Sequence, residues 1–539
     1  MKKIFLITLC SIYYSIFTVI AQPANINISL TSTFEGEPYL AINPTNPNNI
    51  VVAWMADDIN TGYKVAIKSK ASFDGGATWG NTHVNPHFGS SWTSADVSMQ
   101  FRKNGTLYLS YIDSHQSPDS GGVYITHSMN GGIAWSAPTQ AWNALLEAPS
   151  KLPIDRPWMV TDNSGTAHDG TFYITSKPAP WIAPPNRPYL KTSADSGQTW
   201  SAYRYVDTTN HLVGNVIAAP MAAPAVSADG ALCCAYPSYL ASQSVYPKIV
   251  FAKSYSRGAT FQYHDLVVNP VGLSSADSSF KVGYHFAANP MNANQLAFIA
   301  VAATYGDPDI FVSTTNNGGV TWSALVRVND DAQGNGLGQD MPWGSYDKNN
   351  NLVIVWRDRR NGTGTGYSQN TDTYCAVSHD NGATFQPNIK LSSTSSAFAS
   401  ILLQNGNDFM SCELLNDTIY AAWGDTRTGT LNIFFAKASV NTGNLGGITI
   451  INPEDVPEIS IYPNPTTEKF FITFKNKELK QLTLSIYDES GSLVYSKNIE
   501  SSIEQTSVDI PKLAEGIYFV RAMRSNKVIY NQKLVVRKE

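Results

Sequence analysis

Ser72-Phe73-Asp74-Gly75-Gly76-Ala77-Thr78-Trp79 is one copy of a phrase that recurs along the chain. Ser193-Ala194-Asp195-Ser196-Gly197-Gln198-Thr199-Trp200 and Ser378-His379-Asp380-Asn381-Gly382-Ala383-Thr384-Phe385 repeat it, and residues 128–135, 254–261 and 315–322 are looser copies. The shared glycines fall at 76, 132, 197, 258, 319 and 382, a period near 61 residues that points on to a decayed seventh copy ending at Gly443. The physics of the phrase is local. The carboxylate or amide of Asp74, Asn130, Asp195, Asn317 or Asp380 accepts backbone N–H bonds across a tight turn. The glycine permits a positive φ. The Ser or Thr hydroxyl adds a second tie, and the Trp or Phe starts the next strand.

Alternating, strand-like runs precede each copy, for example 50–54 and 63–68. Each repeat therefore reads as a four-stranded antiparallel sheet with the phrase in its outer hairpin. Residues 22–450 divided by seven give about 61 residues per sheet, and such sheets arranged radially make a β-propeller. The expected fold is all-β, a seven-bladed β-propeller followed by a small β-sandwich. Ring closure is expected to pair residues 24–30 with strands at 418–423 and 431–437.

Charge divides the chain in the same way. Overall it carries 37 Lys+Arg and 42 Asp+Glu, a net −5 and 15% charged residues. So mild a balance gives no case for nucleic acid or an anionic membrane as partner. Of the 89 residues from 451 to 539, 24 are charged, or 27%, against 12% of the preceding 450. In a chain with 43% apolar and 11% aromatic residues, a body with so few charges must bury a large core. Residues 1–21 read as a signal peptide, with Lys2 and Lys3 before an apolar run and Ala21 at the cleavage point. Residues 451–458 read as a linker. Cys233 and Cys234 are neighbours in a strand-like run, so their side chains should face opposite ways; buried free thiols are expected for these and for Cys375 and Cys412.

The recurring phrase resembles the Asp-box, or BNR repeat, of sialidase-like propellers. That resemblance implies a structural role for the boxes, an active face on the opposite side of the ring, and glycoside hydrolase activity. The catalytic sialidase fold has six blades, so a six-bladed ring is the alternative to seven. Residues 459–539 carry Ile461-Tyr462-Pro463-Asn464-Pro465, Ser485-Ile486-Tyr487-Asp488 and Leu513-Ala514-Glu515-Gly516-Ile517-Tyr518-Phe519-Val520-Arg521. This segment resembles the C-terminal sorting domain of the type IX secretion system of Bacteroidetes. The resemblance implies export through the periplasm, secretion or cell-surface display, and the secretion machinery as a partner.

On the face away from the boxes, two groups of residues recur. Strand two ends in Trp356, Asp358, Arg360, Gly362 and again in Trp423, Asp425, Arg427, Gly429. The approach to strand one carries an acid: Glu37, Asp96, Asp155, Asp340 and Asp408, two of them opening Asp155-Arg156-Pro157-Trp158 and Asp340-Met341-Pro342-Trp343. Arginines hold anionic groups through paired bonds, carboxyls serve as acid and base, and indoles stack on sugar rings. The expected catalytic set is Asp155 with Arg156, Arg360 and Arg427, the arginines gripping an acidic sugar. Trp158, Trp343, Asp340, Asp358 and Asp425 are the expected substrate contacts. Tyr111 and Tyr284 are candidate nucleophiles. The Phe/Tyr-Arg-Ile-Pro phrase of sialidases is absent, and Asp–Arg pairs that recur from blade to blade suit architecture as well as chemistry.

No cofactor is expected and no metal site is assigned; Asp307 with Asp309, and Asp57 with Asp58, are the acid pairs that could take Ca²⁺. Two functions stay open. One is a secreted, sialidase-like enzyme acting on an extracellular glycan or glycoprotein. The other is a non-catalytic propeller that binds a glycan or protein at the cell surface. A monomer is expected in either case.

Overall fold

The computed structural model describes residues 24–440 and 459–538, apart from 59–63, 90, 116–119, 144–153, 218–219, 241, 243–246, 269–282, 400–406, 475–481, 489–491, 500–504, 511–512 and 525–526; at a few neighbouring strand residues, Asp58 among them, only the backbone is described. The expected signal peptide, the linker, the seventh phrase at Gly443 and the Glu489-to-Gly491 turn lie outside the described residues. The chain divides into two compact units, Met1–Gly447 and Ile448–Glu539.

Among the described residues the first unit holds seven four-stranded antiparallel sheets and no α-helix. Six are simple meanders, such as Glu35–Ile42, Ile50–Asp58, Lys64–Ser72 and His83–Val84. Their first strands are Glu35–Ile42, Trp92–Phe101, Ile154–Thr161, Ala223–Val226, Tyr284–Ala288 and Asp340–Tyr346. The seventh sheet starts at Ser411–Leu415 and takes its outer strand from the other end of the chain, where Ile26 and Asn27 pair with Phe435 and Phe434. The first strands touch one another in sequence, and Ser411–Leu415 packs back on Glu35–Ile42, which closes a propeller. We number the sheets as blades one to seven. The N-terminal strand joins Asn432–Ser439 alone; the other strand expected to receive it, Thr418–Asp425, lies one place further in.

The repeated phrase joins strands three and four, and its hydrogen bonds show why Ser, Asp, Gly and Thr recur at those spacings. In blade one the Ser72 hydroxyl donates to Asp74 (2.8 Å) and accepts from Gly76 N–H (2.8 Å), while Thr78 donates its N–H (2.9 Å) and hydroxyl (2.5 Å) to Asp74. Blades three and six repeat this through Asp195 and Asp380. Asn130 and Asn317 take the same N–H bonds in blades two and five. The glycine has a second duty that composition does not reveal. A Cβ on Gly319 would lie 2.0 Å from the Phe251 ring of blade four, at φ +97°. The phrase thus sets the spacing between blades, and its aromatic residue packs onto the preceding blade, as Trp79 does on Phe435 (5.1 Å) and Trp322 on Phe251 (5.3 Å).

The four described cysteines are free and buried. Cys233 and Cys234 enter different core clusters on the two sides of their strand. The second unit packs a three-stranded sheet (Ile459–Tyr462, Lys469–Phe474, Gln505–Asp509) with a four-stranded one (Leu493–Ile499, Leu482–Tyr487, Gly516–Arg524, Lys527–Val536). Phe470, Ile472, Ile486, Val520 and Leu534 are among its core side chains, the pattern of a small β-sandwich.

Candidate functional site

Four first strands begin with the same irregularity. The register slips between Gly36 and Tyr39, Ala95 and Ser98, Asp155 and Trp158, and Asp340 and Trp343. Inside each slip one non-glycine residue adopts a positive φ: Glu37 (54°), Asp96 (47°), Arg156 (51°) and Met341 (55°). A β-bulge re-aims a side chain, and a left-handed conformation at a residue with a Cβ costs about 1–3 kcal/mol, strain that gathers at functional sites. Three of these four residues are ionisable, and they meet across the ring.

Arg156 is the centre. Its Nη2 donates to Asp408 Oδ2 (2.6 Å), a bridge from blade three to blade seven, and its backbone N–H donates to Asp96 of blade two (3.0 Å). The carboxylate of Glu37, in blade one, accepts the backbone N–H of Asp408 (3.1 Å). Asp155 pairs with Lys177, its register partner on the second strand of the same blade, and shares a hydrogen bond with Asp96. Four acids from four blades therefore surround Arg156 at one end of the axis. Asp155, Arg156 and Asp408 keep 14–19% of their side-chain surface open to solvent.

The electrostatics split these acids. Burial, with Asp155 beside it, pushes the Asp96 carboxyl up to about 7. Burial and the neighbouring Asp408 and Asp96 push Glu37 well above the carboxylate range. Asp155 is partly desolvated too, but Lys177 and Arg156 outweigh that and hold it below the ordinary value. The result is a protonated carboxyl bonded to an ionised one, next to a fixed guanidinium. Below this ring the axis is plugged by aromatic side chains. Tyr39, Trp158, Trp343 and Phe409 lie 5.0–5.9 Å apart, and His285 stacks on Trp343 at 3.9 Å. A cavity of about 30 Å³, room for one water, remains among Tyr39, Trp158, Tyr284, His285 and Trp343. Burial pushes His285 down to about 3, so the ring is neutral, with Nδ1 accepting from Gly344 N–H (3.2 Å).

The five acids expected at the strand-one approach fall into three places. Glu37 and Asp96 occupy the positive-φ position; Asp155 and Asp340 come one residue earlier, and Asp408 precedes Phe409 at the start of blade seven. Asp340 points to its own blade, where it accepts from Arg357 (2.7 and 2.5 Å), Arg359 (3.2 Å) and Tyr367 (2.5 Å). Trp158 and Trp343 belong to the plug, each 7% exposed. The structure does not bring the three arginines together. Arg360 bonds Asp358 (3.0 Å), Asp330 (2.5 Å) and Asn388 (2.8 Å), and lies over the Tyr374 ring. Arg427 bonds Asp425 (2.6 Å), Asn25 (3.0 Å) and Ser393 (3.1 Å), and lies over Phe434. In both phrases the Trp indole also donates to the Asp, Trp356 to Asp358 and Trp423 to Asp425. Neither arginine shares a partner with Arg156.

Tyr284 reaches the cavity and donates to Met221 O (2.5 Å), whereas Tyr111 is buried in the core between blades one and two. Asp307 accepts from Gly334 and Gly336, and Asp309 from Arg327 and Asn329; among the described residues no three His, Cys, Asp or Glu are placed to hold a metal ion. Sequence reasoning missed Lys177, Tyr39 and Glu413. Glu413 lies on the first strand of blade seven, accepts from Ser345 (3.1 Å) and is pushed up to about 7 by burial; burial raises the Tyr39 phenol, and the nearby Glu413 adds to that rise. One of these had a signal. Tyr39 follows Glu37-Pro38 as Trp158 follows Arg156-Pro157 and Trp343 follows Met341-Pro342.

The second unit can be placed by comparison. Residues 460–537 match the family described as "Secretion system C-terminal sorting domain". The tail is a type IX sorting domain. It directs the chain to export, for release or for attachment at the cell surface. No curated protein matches the chain. Three solved structures that resemble it are a fungal alcohol oxidase of the AA5 family in complex with copper, the Trypanosoma rangeli sialidase, and a GH93 α-L-arabinofuranosidase of Fusarium graminearum with arabinobiose. The oxidase is 11% identical with a TM-score of 0.47, covering 96% of this chain and all of its own. The sialidase is 11% identical at 0.40, covering 96% and 92%. The arabinofuranosidase is 10% identical at 0.40, covering 78% and 98%. Likenesses this distant, spread over unlike chemistries, assign no activity to this chain.

Proposed function

We propose that the exported propeller acts on an extracellular glycan at the acid-lined mouth of its axis, with Asp96 as the proton donor in hydrolysis of a glycosidic bond. The observation that supports this reading is the Asp96–Asp155 pair. A carboxyl at about 7 is suited to give up a proton near neutrality, and the ionised Asp155, fixed by Lys177, is the partner that holds that proton in place. In the reaction Asp96 protonates the leaving-group oxygen as the C–O bond breaks. Water adds to the anomeric carbon, and its released proton returns to the acid pair. Arg156 orients Asp96 through its backbone N–H and Asp408 through its guanidinium. The three-arginine grip of an acidic sugar has less support, because Arg360 and Arg427 are engaged in clamps of their own.

A second reading, a glycan- or protein-binding propeller without turnover, draws on those same clamps and on the aromatic plug, which leaves only about 30 Å³ below the mouth. The purified chain, assayed on fluorogenic neutral, amino and sialyl glycosides and on matched polysaccharides, separates the two. Turnover that Asp96→Asn abolishes supports hydrolysis. Saturable binding with no product supports the second reading. Neither turnover nor binding, from folded protein, contradicts both.

A further inference from the structure

The axial mouth holds more acid than its own bases can neutralise. Glu37, Asp96, Asp155 and Asp408 bring four carboxyl groups, and Arg156 and Lys177 bring two cations. Both cations are already engaged, Arg156 by Asp408 and Lys177 by Asp155. Glu37 supplies a second, independent sign of an absent partner. It is 2% exposed, its Oε1 accepts from Asp408 N–H, and its Oε2 is buried with no hydrogen-bond partner. A buried polar atom left unsatisfied costs about 1–3 kcal/mol, and a backbone strained to φ 54° holds it there.

We propose that the mouth is built for a ligand that carries a positive charge, the ammonium group of an amino sugar, seated among Glu37, Asp96 and Asp408. This rests on the reading of the mouth as a glycan site and names the chemical class of that glycan. An ammonium has three donors and no acceptor, which complements an unpartnered carboxyl oxygen beside further acids. A sugar carboxylate would meet four carboxyl groups and a guanidinium already spent. A divalent cation offers the same charge but needs several oxygen ligands in a fixed geometry, and no such group of residues is present among those described. Binding of an ammonium draws Glu37 toward its ionised form and so releases a proton, while Asp96 keeps its own proton toward Asp155. The groups that set this exchange are Glu37, Asp96, Asp155 and Asp408 against Arg156 and Lys177, with the Tyr284 hydroxyl near Arg156.

The test is calorimetry on the full chain at pH 6 with glucosamine oligosaccharides, their fully N-acetylated counterparts, sialyllactose, and calcium chloride alone. The amine form is expected to bind at least about tenfold more tightly than the N-acetyl form and to release protons, seen as a dependence of the heat on buffer ionisation. Glu37→Gln, which keeps the bond to Asp408 N–H, should shrink the preference to about threefold or less. Equal or tighter binding of the N-acetyl or sialyl ligand overturns the inference while leaving the glycan site standing. Calcium binding without amine binding overturns it in favour of a metal. If no sugar of any charge binds or turns over, the glycan reading falls with it.

Discussion

Asp74 and Asp96 are the same residue type in the same propeller, and their surroundings drive them in opposite directions. Asp74 lies in a hairpin at the outer edge, where the Thr78 hydroxyl, the Thr78 N–H and the Ser72 hydroxyl pull its carboxyl down to about 2. Asp195 repeats the arrangement two blades on. Asp96 lies at the axis, where burial and Asp155 push it up to about 7. The difference lies in the supply of donors. The box encloses its carboxylate with hydrogen bonds from its own eight residues, so the charge is fully used in holding a turn. At the axis the bonds come from other blades, they are too few, and protons fill the deficit. Recurrent acids with complete local partners hold the fold, whereas strained acids with incomplete partners are poised for a ligand or a reaction.

The largest effect that could break this contrast is on activity. Asp96→Asn should lower kcat/KM on a turned-over glycan by about 100-fold or more and leave the circular dichroism spectrum unchanged, while Asp74→Asn should leave kcat/KM within about twofold. Equal losses from the two variants would erase the distinction. The next effect belongs to the boxes. Gly319→Ala forces a Cβ to 2.0 Å from Phe251 at a positive φ, so denaturant unfolding should show a loss of about 2–3 kcal/mol. A change below 0.5 kcal/mol would show that the box does not set blade spacing.

A pH series sharpens the axial side. Asp96 is protonated up to about 7 in the folded chain but only up to the ordinary carboxylate value when unfolded, so the folded state holds an extra proton between those limits. The stability this group contributes is complete below the unfolded value and is lost as pH rises toward 7. Melting temperatures should therefore show Asp96→Asn gaining on the wild type from pH 4.5 to pH 8. Activity in turn should fall above about pH 7 as the donor loses its proton. The smallest effect is expected at Arg360. Arg360→Ala should cost about 1–2 kcal/mol of stability, since Asp358 keeps its bonds from Trp356 and from backbone N–H, and should leave kcat/KM within about twofold. A large loss of activity would return Arg360 to the reacting centre.

The sheets were legible because the box is local: Ser, Asp, Gly and Thr within eight residues state their own hydrogen bonds. The tail was legible for a similar reason, since several separated phrases recur together. The mouth was only half legible. The acids before strand one could be found, but not that they occupy different positions in it, because a positive φ at Glu37, Asp96, Arg156 and Met341 has no glycine to announce it. The bridge from Arg156 to Asp408 spans 252 residues and depends on ring closure, which no local pattern encodes. Lys177 is visible only once strand register places it opposite Asp155. Arg360 and Arg427 sit two residues after an Asp, a spacing that serves a clamp and a substrate grip equally well.

The central claim is that function resides in the strained acid ring at the axis. Crystals of Asp96→Asn soaked with the best-bound glycan test it most directly. A sugar contacting Glu37, Arg156 or Asp408 at the mouth is the predicted result, and a sugar seated instead at the Arg360 or Arg427 clamps, with the mouth unchanged, would contradict it.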